Sequence, residues 1–534
     1  VGYFASSTKS SKCDVCPEDS ISPDFGTVSC AICSHPTLTN GTNRANCSGC
    51  SAGYYWDDSP LAEPCVPTNT GRNCCRKCPR GTECSATKTT TKHRYVSNLI
   101  VNEKYYRFSE TSIKVYRCGR HHNYVQNCGG GIIPGEASCR YHSHGPLCRQ
   151  CKVGYFHGSF DGTCIRCADR AIFLTTLPII GLVVVVFLLY IIYQNVATCS
   201  TTLQKLWAWM KTKGWVRVSW TLISGKILLL QFQVVAKFSY MQNVSWPPPF
   251  KYLIDFINTV LLELTSWMPG VECAGVDHYK MLLFYTISPI GAMVMLAVGR
   301  NAIYRKESLS ASFAATKNIF LEMLNLVHSL ICVRIFQTFD CISFDRGHEE
   351  DLRVLRIDFS ISCKSQKHSA YIVYAYCCII VYVVAVPILM AFWRLEQATS
   401  SSSATILSMP FRKGFWWWDV EDLMYRLLMT GLLLVILERL YLRLVACVMF
   451  SLVQHVIVSY FGPYVNRSHN NVAAVGQSIV TLTITAAYVL DTINNRSRAA
   501  VGYMLFVSNL SIIVFIIIQQ RYERLASVAN AIMA

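Results

Sequence analysis

At 534 residues the chain exceeds one ordinary domain, and 52% hydrophobic residues with a mean hydropathy of +0.30 exclude a soluble protein of this size. A formal charge of +17 raises nucleic acid as a partner, but no RNA- or DNA-binding motif accompanies it, and Lys and Arg flanking membrane spans account for much of it. The class is a polytopic membrane protein, partnered by the lipid bilayer and by no nucleic acid. Val1 is not an initiator Met and no signal peptide precedes the first cysteines, so the chain reads as mature or as cut from something longer.

Of 26 cysteines, 18 precede the first long apolar run, an even and dense set that predicts a disulfide framework. CDVC, CAIC and CSGC begin at Cys13, Cys30 and Cys47, a repeat of 17 residues whose units are too short to bury a core and must be stapled. Repeated CxxC pairs also make zinc ribbons, which is the competing reading. The sequons at Asn40 and Asn46 lie within the repeats and favour the oxidising, extracytoplasmic side; Asn243 is a third expected glycosylation site. His121, His122, His142 and His144 cluster among these cysteines, as surface histidines or as metal ligands, and the bland reading is preferred.

KYYRFSETSIKVYRC from Lys104, then CGGG, HGPLCRQCKVGYF and GTCIRC, resemble the juxtamembrane cysteine module of large protist and algal membrane proteins that carry ephrin-receptor-like cysteine repeats. The 17-residue units resemble those repeats as well. The resemblance implies residues 1–90 as ephrin-receptor-like repeats and 91–170 as the juxtamembrane module, open to an extracellular protein or glycan partner.

The unbroken apolar run at 171–193 is long enough to cross the hydrocarbon core and carries no charge. Eight more runs of similar length follow, at 216–240, 279–299, 318–336, 369–393, 420–437, 440–460, 472–489 and 499–519. The expected fold is an all-α polytopic membrane domain of nine transmembrane helices over 171–519, preceded by a small disulfide-rich extracellular domain of loops and strands. A cytosolic tail, 520–534, follows. The odd count puts the N-terminus outside and the C-terminus in the cytosol, with a slight excess of Lys and Arg on the inner connections. Cys341 and Cys363 then fall outside, where they can form a disulfide. The stretch 252–268, broken by Asp255 and Glu263, is expected to lie along the outer interface. The location is a plasma, ciliary or other surface membrane.

KILLLQFQVVAKF with WPPPF, FDCISF through LRIDFSISC, and WWWDVEDLMYRLLMTG are similar to the same protist family, whose multi-span domain resembles fungal TRP-like proteins. Those are remote kin of anoctamin, OSCA and TMC-type proteins, dimers that conduct ions or move lipid. The resemblance implies a homodimer.

Ionisable groups at mid-membrane are costly, about 2.5–3.5 kcal/mol on insertion scales, so those present mark candidate function. Glu322, Asn325 and Ser329 share one face of the fourth span with His328 beside them; Arg443, Cys447, Ser451, Gln454 and His455 form a stripe on the seventh; Gln477, Thr481 and Thr485 step down the eighth. Such stripes line a polar path or make interhelical hydrogen bonds. Glu322 is the foremost cation-selectivity residue unless it pairs with Lys226, which lies deep in the second span and needs a partner. His328 and His455 are either pH-sensitive groups or satisfied neutral histidines. Asp419, Glu421 and Asp422 follow an aromatic belt at Phe415–Trp418, with Arg426 one turn on; they cap a helix or form a Ca2+ site, the one cofactor the sequence admits. Pro387 is expected to kink the fifth span, and 397–405 reads as a flexible linker.

Absence of HExxH, a phosphate-binding Gly loop and a nucleophile elbow argues against an enzyme. The expected function is a TRP-like, cation-permeable ion channel. The alternatives are a lipid scramblase or solute transporter, and a surface receptor or adhesion protein with a multi-span anchor.

Overall fold

The computed structural model describes most of residues 2–533; outside it fall chiefly 58–74, 85–94, 119–126, 168–214, 261–272 and 400–410, with shorter breaks. The expected first span at 171–193, Asn40, Asn46, Asn243, His121 and His122, and most of the 397–405 linker lie outside the described residues. Two compact units result: Val1–Cys167 with Ile342–Val354 and Phe359–Ser362, and the remainder.

The first unit is a ladder of small two-stranded antiparallel hairpins stapled by disulfides. No bridge forms within a CxxC pair. The second cysteine of one pair bonds the first of the next, as Cys16–Cys30 and Cys33–Cys47, and the series continues with Cys50–Cys75 and Cys78–Cys84. Cys118–Cys128, Cys139–Cys148 and Cys151–Cys164 staple the juxtamembrane module. With these thiols oxidised the zinc reading of the repeats falls, because thiolate is the metal ligand. Arg107, 1% exposed, ties the module to the turn before it by donating to Val96 O at 2.6 Å and Ser97 O at 3.2 Å.

The module's apolar core is completed from far along the chain. Phe344, Val354 and Phe359 are buried with Tyr106, Cys118, Cys128, Leu147 and Cys148. Phe344 stacks within 5.2 Å of both Phe108 and Tyr116, Asp345 N donates to Tyr116 OH at 2.8 Å, and Ser109 Oγ donates to Arg346 O at 2.6 Å. These partners sit on a hairpin, Cys341–Phe344 paired with Leu352–Leu355, whose first residue is tied by the Cys341–Cys363 disulfide to the segment that follows the second strand. The expected division at residue 170 therefore needs amending: a connection from the helical part belongs to the cysteine-rich unit.

The second unit is helical. We label its helices α1 (Trp215–Met241), α2 (Pro248–Val260), α3 (His278–Ile303), α4 (Leu309–Gln337), α5 (Gln366–Cys378, continuing through a π turn at Ile379–Ala385 into Val386–Thr399), α6 (Trp418–Leu427, a π turn at Leu428–Leu432, then Leu433–Ile436), α7 (Leu440–Phe461), α8 (Arg467–Leu490) and α9 (Asn495–Met533). Among the described residues six helices, α3, α4, α5, α7, α8 and α9, are long and apolar enough to cross a membrane.

Local chemistry explains the boundaries. α2 opens on Pro248, where a missing N–H costs nothing, and buries Phe250, Leu253, Ile254 and Ile257 while Tyr252 and Phe256 stay exposed. Ser365 caps α5 by accepting from His368 N at 3.2 Å, and Gly462, at φ 49°, ends α7 in the left-handed region. Pro387 lacks the N–H that Val383 O would take, and the ladder re-registers through the π turn just ahead of it, Val386 N reaching Val381 O. The expected span at 420–437 is not one continuous α-helix: its ladder slips at Leu428–Leu432, where Phe336 of α4 packs so closely on Gly431 that a Cβ there would collide with the ring. Among the described residues the two largest apolar cores of this unit lie one among α1, α2 and α6–α9, the other among α3–α6.

Removing the Phe344 ring should cost about 3–5 kcal/mol, so Phe344→Ala is expected to speed proteolysis of the cysteine-rich unit markedly while Phe344→Leu does so less; equal rates would contradict the shared core. Acid should loosen the same contact. The Gly347 N–H and Lys114, 2.9 Å away, hold the Asp345 carboxyl below its usual range, so its contribution is present above the ordinary carboxylate pKa and lost as pH falls through the depressed value. Asp345→Asn should flatten that acid limb of the proteolysis profile.

Candidate functional site: a buried charge cluster

Four helices of the second unit each present ionisable side chains to one buried locus. α1 supplies Lys226, α4 Glu322, α5 Arg394, and α6 Asp419, Asp422 and Arg426. Lys226 Nζ lies 2.8 Å from Glu322 Oε2 and 3.3 Å from Asp419 Oδ1. Arg394 bridges the same two carboxylates, at 2.5 Å from Glu322 Oε1 and 2.5 Å from Asp419 Oδ2. The four groups form a closed square of alternating sign, with side-chain exposures of 16% for Lys226, 12% for Glu322, 3% for Arg394 and 4% for Asp419.

Arg426, also fully buried, extends the square along α4. Its Nε donates to Asp422 Oδ2 at 3.0 Å, and its terminal nitrogens donate to Asn325 O at 2.9 Å, Asn325 Oδ1, Ser329 Oγ at 3.3 Å and Gln233 Oε1 at 3.3 Å. Gln233 in turn donates to Leu326 O at 2.8 Å, and Asn325 Nδ2 donates to Asp419 at 3.4 Å. Three cations face three anions, so the locus is neutral as a whole and every charge has a partner.

The remaining expected residues fall elsewhere. His328 turns toward α5, where its Nε2 donates to Tyr382 O at 2.8 Å inside the π turn. On α7 and α8 the stripes meet each other: Gln477 Nε2 donates to Tyr425 OH at 2.9 Å, and Ser451 and Thr481 share a hydrogen bond of 2.8 Å. Gln454 donates to Glu421 at 3.1 Å, and His455 Nδ1 sits 3.5 Å from the Ser478 hydroxyl. Arg443 does not join them, lying within electrostatic reach of Asp340 and Arg356. Thr485 bonds only the Thr481 carbonyl of its own helix.

Asp419, Glu421 and Asp422 do not converge on one point. Asp419 faces Lys226 and Arg394, Asp422 Oδ2 faces Arg426, and Glu421 Oε2 faces Gln454, so the three carboxylates turn to different partners. Trp417, which precedes α6, makes no side-chain cap, but Asp419 and Glu421 stand in the first turn, where acidic side chains complement the helix dipole as expected. Two His/Cys groupings occur among the described residues, Cys151–His157–Cys164 and Cys341–Cys363–His368, and in both the sulfurs are joined as disulfides.

Sequence reasoning missed Arg394, which closes the square, and the depth of Arg426. Arg394 directly follows an apolar run and reads as a charge on the next connection; its signal is that 366–396 continues as helix beyond it. No family model, curated protein or solved structure matches the chain.

Breaking one member of a buried ion network leaves its partner uncompensated, at about 3–5 kcal/mol. Asp419→Asn should therefore lower the thermal midpoint in detergent far more than Thr485→Val, expected to cost less than about 1 kcal/mol; comparable shifts would show that the square carries no special weight.

Proposed function

We propose that the chain is a cation-permeable ion channel of the nine-span, fungal-TRP-like plan, its cysteine-rich unit outside the membrane and its C-terminus in the cytosol. The observation that carries this reading is the neutral cluster of six charges joining α1, α4, α5 and α6. As an anchor the bundle would be cheaper with apolar residues there, since ion pairs held away from water are often replaceable by hydrophobic packing without loss of stability. A network with matched signs has a second use. Its members can exchange protein partners for water and passing ions, so the same helices have a closed and an open arrangement.

In the geometry described, Glu322 and Asp419 are occupied by Lys226 and Arg394, which makes this the closed arrangement. Conduction follows when α5 or α6 withdraws and leaves those carboxylates facing water, where they attract cations. Both helices carry a π turn, a form frequent at functional sites, and the turn in α5 lies two turns from Arg394. Topology is consistent with this plan. The hairpin of Ile342–Val354 folds within the same unit as Val1–Cys167, which supports an even number of crossings between Cys167 and Cys341. The proposed plan has four there: the apolar run expected at 171–193, then α1, α3 and α4, with amphipathic α2 along the interface.

Purified protein in planar bilayers tests the reading. Cation-selective current is expected, with Glu322→Gln reducing selectivity and Lys226→Gln, which removes one of the two cations that hold Glu322 and Asp419, raising the open fraction. Silence across voltage, tension, pH and Ca2+ in wild type and in Lys226→Gln alike would overturn it, and lipid scrambling in liposomes without current would reassign the bundle.

A further inference from the structure

Beside the charge cluster lies a crevice of about 120 Å³ with a different character. Pro289 and Ile290 of α3, Phe320 and Leu324 of α4, and the face of α5 from Val381 to Trp393 line it. Its floor is buried, with Met390 at 0%, Leu324 and Tyr382 at 5% and Val386 at 7% exposure, whereas its rim residues Ile290, Val381 and Leu389 are about half exposed. Both polar ends of Tyr382 are used, the hydroxyl donating to Thr286 O and the carbonyl accepting from His328, so only its ring faces the opening. All three helices are among those apolar and long enough to cross a membrane, so the open side faces hydrocarbon. An apolar cavity of about 150 Å³ holds benzene, which sets the scale here at a segment of one acyl chain.

One end of the crevice carries charge. Lys317 Nζ stands 5.1 Å over the ring of Trp393, a lining residue, and 2.5 Å from Glu396. Glu396 is 64% exposed, so this is a weak, solvated pair, and the ammonium has three donors to distribute. A cation beside an indole at the end of an apolar slot fits an amphiphile with a hydrocarbon tail and an anionic group at its head. We propose that the crevice seats one acyl chain of a bilayer phospholipid whose phosphate is held by Lys317. The chain packs on the Tyr382 ring and Val386, and thereby buttresses the π turn of α5. This site is separate from the conduction reading and stands or falls without it.

The test is photo-crosslinking of the full chain in phosphatidylcholine liposomes doped with a phosphatidylcholine bearing a mid-chain diazirine, with adducts mapped by mass spectrometry. Labelling is expected on the buried floor, at Leu324 and Met390, besides the exposed flank at Val384 and Ile388. Val386→Phe, which fills the crevice, and Leu389→Trp, which alters only its rim, should each remove floor adducts and leave flank adducts as a check on folding. Lys317→Ala should lower floor labelling about tenfold, the loss of a charge-assisted hydrogen bond. Adducts confined to the flank in wild type would overturn the site. Floor labelling unchanged by Lys317→Ala, and equal with a diazirine fatty alcohol, would overturn the phosphate contact.

Discussion

Lys226, Glu322, Arg394 and Asp419 hold one another in an alternating square, and the packing of four helices depends on that arrangement. Each ion alone would be expelled from an apolar bundle, because the desolvation of a single charge amounts to several kcal/mol. Together they are tolerated only if all four arrive in register, since at low effective dielectric each contact is strong and each missing partner is severe. The square therefore fixes which turn of α1 meets which turn of α4, α5 and α6. Arg426 extends the same constraint one turn along α4 through Asn325 and Ser329.

The two π turns make sense beside that constraint. Arg394 must reach Glu322 while Pro387, less than two turns earlier, cannot complete the α ladder, and widening the helix at Ile379–Ala385 absorbs the mismatch. In α6 the slip at Leu428–Leu432 lets Gly431 accept the Phe336 ring without moving Arg426. His328 then joins the cluster helix to the widened turn by its bond to Tyr382 O, so α4 and α5 are linked both by ions and through the backbone. The cysteine-rich unit follows another logic. Its hairpins bury little, disulfides supply the staples, and the aromatic cluster around Tyr106 borrows Phe344 and Phe359 from between α4 and α5.

Much of the site was legible because periodicity and charge are local signals. Glu322, Asn325 and Ser329 at helical spacing announced a polar face on α4, and Lys226 in an apolar run demanded a partner. The polar stripes of α7 and α8 were legible as stripes, and it took the packing to show that Gln477 and Ser451 face each other and Tyr425. Arg394 was not legible because a charge ending an apolar run looks the same whether it meets water or turns inward. The acidic run at Asp419–Asp422 suggested either a helix start or one ion site; on a helix three such neighbours point in different directions, and each faces a separate donor. The Cys341–Cys363 disulfide was legible, because the two cysteines flank one polar connection. The pairing of the repeat cysteines and the Phe344 contact were closed to sequence reading for a common reason: both depend on which distant segments meet, and nothing local records that.

We propose that this cluster is dry in the closed arrangement and wets when the helices part. Ser329, bonded to Arg426 at the edge of the cluster, is the place to measure it, because cysteine there is nearly isosteric. The rate at which a small cationic thiol reagent modifies Ser329→Cys, compared between silent and conducting patches, is expected to be near background when silent and to rise steeply, with block of current, when conducting. Current that flows while the engineered thiol stays unreactive would contradict the account.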